Sequence, residues 1–290
     1  MLLRSYLYAP GNRPDLCAKA AAGAADAVIV DLEDAVPAAE RPAARRATAG
    51  FIAGGPARPV FVRINPGAEG LADLAALPAR GLDGIRIAKA EDPAFIAAVD
   101  GALAAMEADA GLPAGVVGIQ PIVESVAGLF AMEALAAASA RIRRFAFGAG
   151  DFVRDIRGEA TSERSETFLA RSMVVLRSRA LGLEAPIAHV YTPIRDLDGL
   201  RRASAADRAL GFYGRSCIHP TQVAVINAAF DRTEAEIAHA RAVVAAYDAA
   251  VREGRGSLTL ADGTFIDEAV AKRAADVIAL GAAQRTSPPA

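Results

Sequence analysis

Two carboxylates stand in matched positions, each directly after a short apolar run. Glu124 follows residues 118–123, of sequence Gly-Ile-Gln-Pro-Ile-Val, and Asp151 follows residues 145–150, of sequence Phe-Ala-Phe-Gly-Ala-Gly. Buried acids that lie near each other are costly unless something cationic lies between them. A hard divalent cation such as Mg²⁺ takes carboxylate oxygens together with water and substrate oxygens. Each acid alone is better explained as a helix cap or an arginine partner, but their matched contexts favour a magnesium site.

Three further acids, Asp31, Glu33 and Asp34, fall within four residues after another apolar run. They cannot all stay ionised close together without a cation or arginine partners. Acids are also favoured at a helix N-terminus, which is the alternative explanation. We expect both to apply, with one or two of these acids accepting hydrogen bonds from metal-bound water and the rest capping a helix.

Two cationic residues also follow predicted strands. Arg63 comes after an apolar run and needs an anionic partner. That partner is either Glu33 or Asp34, or it is a substrate carboxylate or developing enolate oxygen, and we favour the substrate. Lys89 has the chemistry of a Schiff-base lysine, but the two strand-end carboxylates favour a metal, so we expect Lys89 to balance charge near Glu124.

The stretch Gly148-Ala149-Gly150 lacks the third glycine of a dinucleotide-binding fingerprint, because Val153 stands in its place. Small residues instead let backbone N–H groups approach an anionic ligand closely. We therefore place Gly150 and Asp151 in the substrate-binding wall. The three histidines contain no pair at metal-ligand spacing, which argues against a zinc site.

Apolar runs of strand length recur between alanine-rich helical stretches. They predict eight strands, at residues 3–9, 27–31, 59–64, 84–88, 116–123, 144–149, 186–191 and 211–215. Strands that alternate with helices are parallel and joined by right-handed crossovers. A doubly wound open sheet would concentrate its site at one switch point, whereas polar residues here follow every predicted strand. The pattern therefore favours an α/β fold of the (β/α)8 TIM-barrel type.

A barrel of this kind accounts for residues 1–230 and leaves a C-terminal helical extension, residues 231–290. The extension contains an amphipathic helix predicted at 232–253, a hairpin-like turn at 261–263 and a last helix at 268–281. Because a barrel needs none of these elements, we expect the extension to cap the barrel or to contact a neighbouring subunit.

Composition excludes several classes of protein. The chain has 290 residues, of which 53% are hydrophobic, and its 32 basic and 34 acidic residues nearly cancel. No basic run suggests a nucleic-acid partner, no apolar run is long enough to span a membrane, and the first residues lack the features of a signal peptide. Cys17 and Cys217 form no paired motif, so we expect a reduced, cytoplasmic protein.

Taken together and in order, the motifs resemble those of the citrate lyase beta-subunit family, within the HpcH/HpaI aldolase group. The resemblance extends from residue 4 to residue 267. Its matching pieces are Arg4-Ser5-x-Leu7-x-x-Pro10-Gly11, Asp31-Leu32-Glu33-Asp34-Ala35-Val36, Val62-Arg63-Ile64-Asn65, Glu124-Ser125-x-x-Gly128, Gly148-x-x-Asp151, Asp196-Leu197-x-Gly199-Leu200, Gly211-Phe212-x-Gly214-Arg215-x-x-Ile218-His219-Pro220-x-Gln222 and Asp262-Gly263-x-x-Ile266-Asp267.

The resemblance implies a TIM barrel that binds Mg²⁺ and a CoA thioester. Such enzymes break or form the C–C bond of a β-hydroxyacyl-CoA such as citryl-, malyl- or citramalyl-CoA, with acetyl-CoA and a keto acid on the other side of the reaction. By the same resemblance, Glu124 and Asp151 ligate the metal, Arg63 steadies the enolate and carbonyl oxygens, and Glu33 and Asp34 support the metal through water.

Further roles are implied outside the metal site. Arg4, Arg13 and Lys19 are expected to meet the phosphates of CoA. Asp267 is expected to act as an acid/base in the site of a neighbouring subunit, which predicts a homo-oligomer, either a trimer or a hexamer.

Two positions depart from the family pattern. Gly150 stands where many relatives carry Glu, and His189 stands close to where many carry Asp; we expect both to affect the choice of substrate more than the reaction class. Two other functions stay open: a metal-dependent aldolase that acts on free keto or hydroxy acids without CoA, and a lyase subunit that acts only in a complex with an acyl carrier protein.

Overall fold

The computed structural model describes residues 2–286. The chain divides into two compact units, one of residues 3–230 and a second that begins at Asp231. Among the described residues, no helix is long and apolar enough to cross a membrane.

The first unit is built on a parallel sheet of seven strands in the order β6-β5-β4-β3-β2-β1-β7. Their near-continuous apolar sequences suit strands that are covered on both faces. The strands are β1 (Ser5–Pro10), β2 (Ala27–Asp31), β3 (Val60–Ile64), β4 (Gly84–Ile87), β5 (Gly118–Val123), β6 (Ala146–Phe147) and β7 (Arg215–Cys217).

Nine helices of this unit connect and surround the strands. Two of them start with side-chain caps typical of helix N-termini, since Ser125 accepts a hydrogen bond from Gly128 N and Asp196 accepts one from Gly199 N. The helices are α1 (Pro14–Ala22), α2 (Arg41–Ala53), α3 (Gly67–Ala75), α4 (Pro93–Asp109), α5 (Val126–Ala138), α6 (Ala149–Asp155), α7 (Phe168–Ala180), α8 (Leu197–Leu210) and α9 (Pro220–Phe230), with short 3₁₀ turns at Ala38–Glu40 and Ser165–Thr167.

The sheet is strongly curled. The side chain of Arg86, on β4, reaches Tyr8 on β1 and Ser216 on β7, although two and three strands lie between them in the sheet order. Such a reach requires the two ends of the sheet to turn towards each other. The architecture is therefore α/β, with a curled parallel sheet surrounded by helices, as in TIM-like barrels.

The seventh of the eight predicted strands, at 186–191, does not form a regular ladder in the described part of the chain. It makes only isolated parallel bridges, from Ile187 to β6 and from Ala188 to β7. The carbonyl groups that follow bind side chains instead, since Arg215 Nη1 donates to His189 O at 2.7 Å and Gln222 Nε2 donates to Tyr191 O at 2.7 Å. The prediction of eight ladder strands was therefore wrong at this element.

The strand predicted at 211–215 lies later in the chain, at β7. Gly211 and Gly214 adopt φ angles of +116° and +85°, which are incompatible with an extended strand. A Cβ at Gly214 would lie 2.6 Å from Leu3 O, so this turn requires glycine. The regular strand begins only after the second glycine.

The second unit consists of α10 (Glu234–Arg252), an antiparallel pair β8 (Leu258–Thr259) and β9 (Phe265–Ile266), and α11 (Glu268–Thr286). Thr233 and Glu236 form a capping box at the start of α10. Apolar side chains of the two helices and β9, among them Ala240, Val243 and Ile266, form its core. The predicted helices and the hairpin-like turn are confirmed.

Candidate active site

A cavity of about 510 Å³ opens at the carboxyl ends of the strands of the first unit. Its lining includes Tyr8, Arg63, Arg86, Glu124, Asp151 and His189. These residues come from six different strand-to-helix connections or strand ends, which is the arrangement that barrels use for catalysis.

Glu124 lies at the end of β5 and is 5% exposed. Its Oε1 accepts a hydrogen bond of 2.5 Å from the backbone N–H of Lys89, a residue held at φ +48°, where side chains are uncommon. Burial raises the pKa of Glu124, the hydrogen bond from the Lys89 N–H lowers it and the charge of Asp151 raises it, which together bring it to about 7. The carboxylate is therefore costly to ionise until a cation is present.

Asp151 lies in the first turn of α6 and lines the same cavity as Glu124. Among residues 2–286 its ion pair is with Arg154, at 3.0 Å, and that arginine is largely exposed. Gly148 lets the two segments approach, because a Cβ there would lie 2.5 Å from Glu124 Oε2. The two acids predicted to share a metal site are thus brought to one wall of one cavity.

The donor set fits magnesium better than zinc. Among residues 2–286 there is no group of three or more His, Cys, Asp or Glu side chains that would hold a metal, as a structural zinc site requires. Magnesium is usually held by one or two carboxylates with water and substrate oxygens completing the shell. Glu124 and Asp151 meet that requirement.

The acids at the end of β2 are ion-paired within the chain. Arg63 binds Asp31 through two hydrogen bonds, Nε to Oδ1 at 2.7 Å and Nη2 to Oδ2 at 2.5 Å, and its Nη1 lies 2.9 Å from Glu33 Oε2. Lys89 Nζ pairs with Glu33 and lies 3.6 Å from Asp34. The pairing considered as the alternative role of Arg63 is therefore present, and Asp31 also caps the following turn by accepting from Glu33 N and Ala35 N.

The pKa values of the neighbouring acids Glu33 and Asp34 shift in opposite directions. Burial raises the pKa of Glu33. Burial also opposes ionisation of Asp34, but its hydrogen bond with Glu33 and the charges of Arg63 and Lys89 hold its pKa below the usual range. Asp34 lines the cavity, so it presents an anionic oxygen there.

The remaining predicted residues lie elsewhere. Arg4 pairs with Asp26 at 2.8 Å, Arg13 pairs with Asp15 at 3.0 Å, and Lys19 is exposed in the last turn of α1. These three cations are not among the described residues that line the cavity.

Asp267 belongs to the second unit, where its Oδ1 accepts from Val270 N at 3.0 Å at the start of α11. Gly150 does line the cavity, and a Cβ there would meet nothing within 4 Å.

Several residues of the cavity escaped the sequence analysis, namely Tyr8, Arg86 and Ser216. The available signal was an arginine inside the apolar strand Gly84–Ile87. His189 was noted only as a departure from the family pattern. Burial is the main cause that lowers its pKa to about 3, and the charge of Arg215 is the second. His189 is therefore a neutral imidazole at physiological pH.

Comparison with known proteins gives matches along most of the chain. The family model of HpcH/HpaI aldolase/citrate lyase matches residues 4–220. A citrate lyase subunit beta-like protein of Deinococcus radiodurans is 38% identical over 283 residues, with 94% of this chain and 95% of the relative covered. An L-malyl-CoA/beta-methylmalyl-CoA lyase of Rhodobacter capsulatus is 31% identical over 305 residues, with 96% and 94% covered. The crystal structure of the CitE protein of Mycobacterium tuberculosis in complex with magnesium, acetoacetate and coenzyme A has a TM-score of 0.78 and 30% identity, with 97% of this chain and 98% of that chain covered.

Proposed function

Because the chain belongs to the HpcH/HpaI aldolase/citrate lyase family, as its motifs predicted, we propose that it is a magnesium-dependent carbon–carbon lyase. It cleaves a β-hydroxyacyl-CoA to acetyl-CoA and a keto acid, or catalyses the reverse condensation. The observation that carries the proposal is the pair Glu124 and Asp151 on one cavity wall at the strand ends. Relatives of this chain include a malyl-CoA lyase and a protein bound to magnesium and coenzyme A.

Glu124 and Asp151 are the residues that would hold Mg²⁺, because both line the cavity with carboxylate oxygens, unlike Asp31 and Asp34 neither is paired with Arg63, and Glu124 is costly to ionise without a cation. When bound, the cation supplies Lewis-acid polarisation of the substrate oxygens. Gly148 keeps the space beside Glu124 open. No third protein carboxylate is needed, since water and substrate oxygens complete the coordination.

Residues of the chain itself then transfer the proton and stabilise the developing charge. Asp34, anionic and on the cavity wall, takes the proton of the substrate β-hydroxyl, with Glu33 beside it to share that proton. The C–C bond breaks, and its electron pair passes to the thioester half as an enolate while the other half leaves as the keto acid. Arg63, fixed by Asp31 on two nitrogens, stabilises the enolate oxygen.

Asp267 is proposed to protonate the enolate carbon from a neighbouring subunit. Asp267 lies in the second compact unit, where its carboxylate caps the start of α11. We expect mixed oligomers of Asp267→Ala and Glu124→Ala subunits to regain activity that neither variant has alone, because one site in such an oligomer keeps both groups. Mass photometry establishes mixing and the trimeric or hexameric state, and verified mixed oligomers without activity would contradict an acid supplied in trans.

Three further proposals accompany this function. Arg4, Arg13 and Lys19 contact the CoA phosphates, a role supported by the exposure of Arg13 and Lys19 on one helical segment. Residues 187–188 complete the ring as a short eighth strand, supported by their bridges on both sides. A cytoplasmic location is supported by the two buried free cysteines.

A substrate screen tests the function directly. Acetyl-CoA and propionyl-CoA are each combined with glyoxylate, pyruvate and oxaloacetate, with and without Mg²⁺, and thioester products are measured by mass spectrometry. We expect condensation with at least one pair and only with the cation. Cleavage of free hydroxy acids without CoA selects the aldolase, and turnover that appears only with an added acyl carrier protein selects the subunit of a larger complex.

A further inference from the structure

Arg86 forms the floor of the cavity and is fully buried. Its Nη1 donates to Ser216 Oγ at 2.8 Å and to Tyr8 Oη at 3.3 Å, and its Nη2 donates to Gln120 Oε1 at 2.9 Å. The guanidinium lies over the Tyr6 ring, 5.0 Å from its centroid. All of these partners are neutral.

This lack of a counter-ion sets Arg86 apart. In the part of the chain that the structure describes, every other buried arginine has a carboxylate oxygen within 4 Å, whereas Arg86 has none. A buried charge without an opposite charge is costly. The paired arginines are Arg141, Arg144, Arg171 and Arg215.

Charged groups are unevenly distributed around the cavity. Glu124 and Asp151 make one wall acidic. Next to the cavity residue His189, three arginines share the single carboxylate of Asp207, and one of them, Arg215, donates to the backbone carbonyl of His189. Together with Arg86, this cluster leaves an excess of buried positive charge on the β1 and β7 side.

Tyr8 and Ser216 lie between the buried guanidinium of Arg86 and the cavity, and each contacts both. Each hydroxyl oxygen accepts a hydrogen bond from Arg86 and each residue lines the cavity. Because the oxygen is used as an acceptor, its own proton is available to donate to a ligand. Donors polarised by a cation bind anions more strongly than neutral donors do.

We propose that Tyr8 and Ser216, backed by Arg86, form a subsite for a second carboxylate on the keto-acid half of the substrate. The keto acid is then dicarboxylic, as oxaloacetate is, rather than glyoxylate or pyruvate. This assignment rests on the proposed lyase function for its place in the reaction. Tyr8 and Ser216 touch the ligand, whereas Arg86 is a positioning residue that acts through them.

The test compares Arg86→Met with the wild type, using acetyl-CoA with oxaloacetate, pyruvate or glyoxylate. We expect kcat/KM for oxaloacetate to fall about 10- to 100-fold, mostly through KM, as the loss of charge-assisted hydrogen bonding implies. The values for pyruvate and glyoxylate change by less than about 3-fold, because these ligands do not reach the subsite. Arg80→Met, at an exposed position, controls for the same chemical change and leaves all three values unaltered.

Binding without turnover separates this inference from the proposed function. In Mg²⁺ and without CoA, calorimetry on the wild type should show tighter binding of oxaloacetate than of pyruvate, and Arg86→Met should abolish the difference. Ser216→Ala and Tyr8→Phe, which keep the buried charge, should reduce it and stand in if Arg86→Met does not fold. If the wild type binds oxaloacetate more tightly than pyruvate but turns over no thioester, the lyase function is contradicted and the subsite is supported. Equal binding of both acids by the wild type, or equal losses for both in the variants, overturns the subsite.

Discussion

Replacing Glu124 by Gln is expected to lower kcat/KM for thioester cleavage by about 10³-fold, on the order of 4 kcal/mol of transition-state stabilisation. The substitution preserves size and removes one of the two carboxylates that would hold Mg²⁺. Calorimetric titration with Mg²⁺ should show the corresponding loss of affinity. Glu133→Gln is the matched control, because Glu133 is an exposed acid on α5. Unchanged Mg²⁺ affinity in Glu124→Gln would refute the metal site.

The same variant isolates a pH effect in the metal-free protein. The pKa of Glu124 is raised from 4.5 to about 7 in the folded chain, so between these values the folded state holds a proton that the unfolded state has lost. Stability contributed by this group is therefore present below about pH 4.5 and is lost as the pH rises towards 7, by about 3 kcal/mol. Urea unfolding in a chelating buffer at pH 5 and pH 8 should show this loss in the wild type and not in Glu124→Gln.

Saturating Mg²⁺ should reverse this dependence of the unfolding free energy on pH. The carboxyl must release its proton before it can ligate a cation, so Mg²⁺ affinity should rise with pH up to about 7 and then level off. The wild type should thus lose stability with rising pH in a chelator and recover it in saturating Mg²⁺.

Most of the sheet was predictable because buried parallel strands are continuous apolar runs. The strand at Ala27–Asp31 was predicted to the residue. The segment at 186–191 is also mostly apolar, but its carbonyls bind the side chains of Arg215 and Gln222, which lie 26 and 31 positions after their acceptors in the chain. A local pattern carries no information about such distant donors.

The same limit explains which residues of the site could be predicted from the sequence. Glu124 and Asp151 could be predicted as a pair because each follows its own apolar run, a feature of local sequence, and both line the cavity. Arg86 was missed because its proposed role depends on the absence of a nearby carboxylate, which only the three-dimensional structure shows. Its contacts with Ser216 span 130 positions of sequence, and only the curled sheet brings them together.

Asp207→Asn is expected to be the most destabilising conservative substitution in the first unit. Asp207 is fully buried on α8 and its carboxylate pairs with Arg164 at 2.8 Å, with Arg171 at 2.6 Å and with Arg215. Asn keeps the shape but removes the one negative charge that these three cations share. Leaving a buried charge unpaired costs about 3–5 kcal/mol, a large part of a typical unfolding free energy of about 5–15 kcal/mol.

Urea unfolding at neutral pH measures this loss, and Asp198→Asn on the same helix is its control. Asp198 pairs with Arg201 at the surface, with both side chains largely exposed, so its removal should leave the unfolding midpoint unchanged. Burial opposes ionisation of Asp207, but the charge of Arg215 holds its pKa below the usual range. Its contribution is therefore present at neutral pH and is lost only as the pH falls below the ordinary aspartate range, where the wild type and Asp207→Asn should converge. Equal midpoints for Asp207→Asn and the wild type at pH 7 would show that the three arginines are neutralised by something other than this carboxylate.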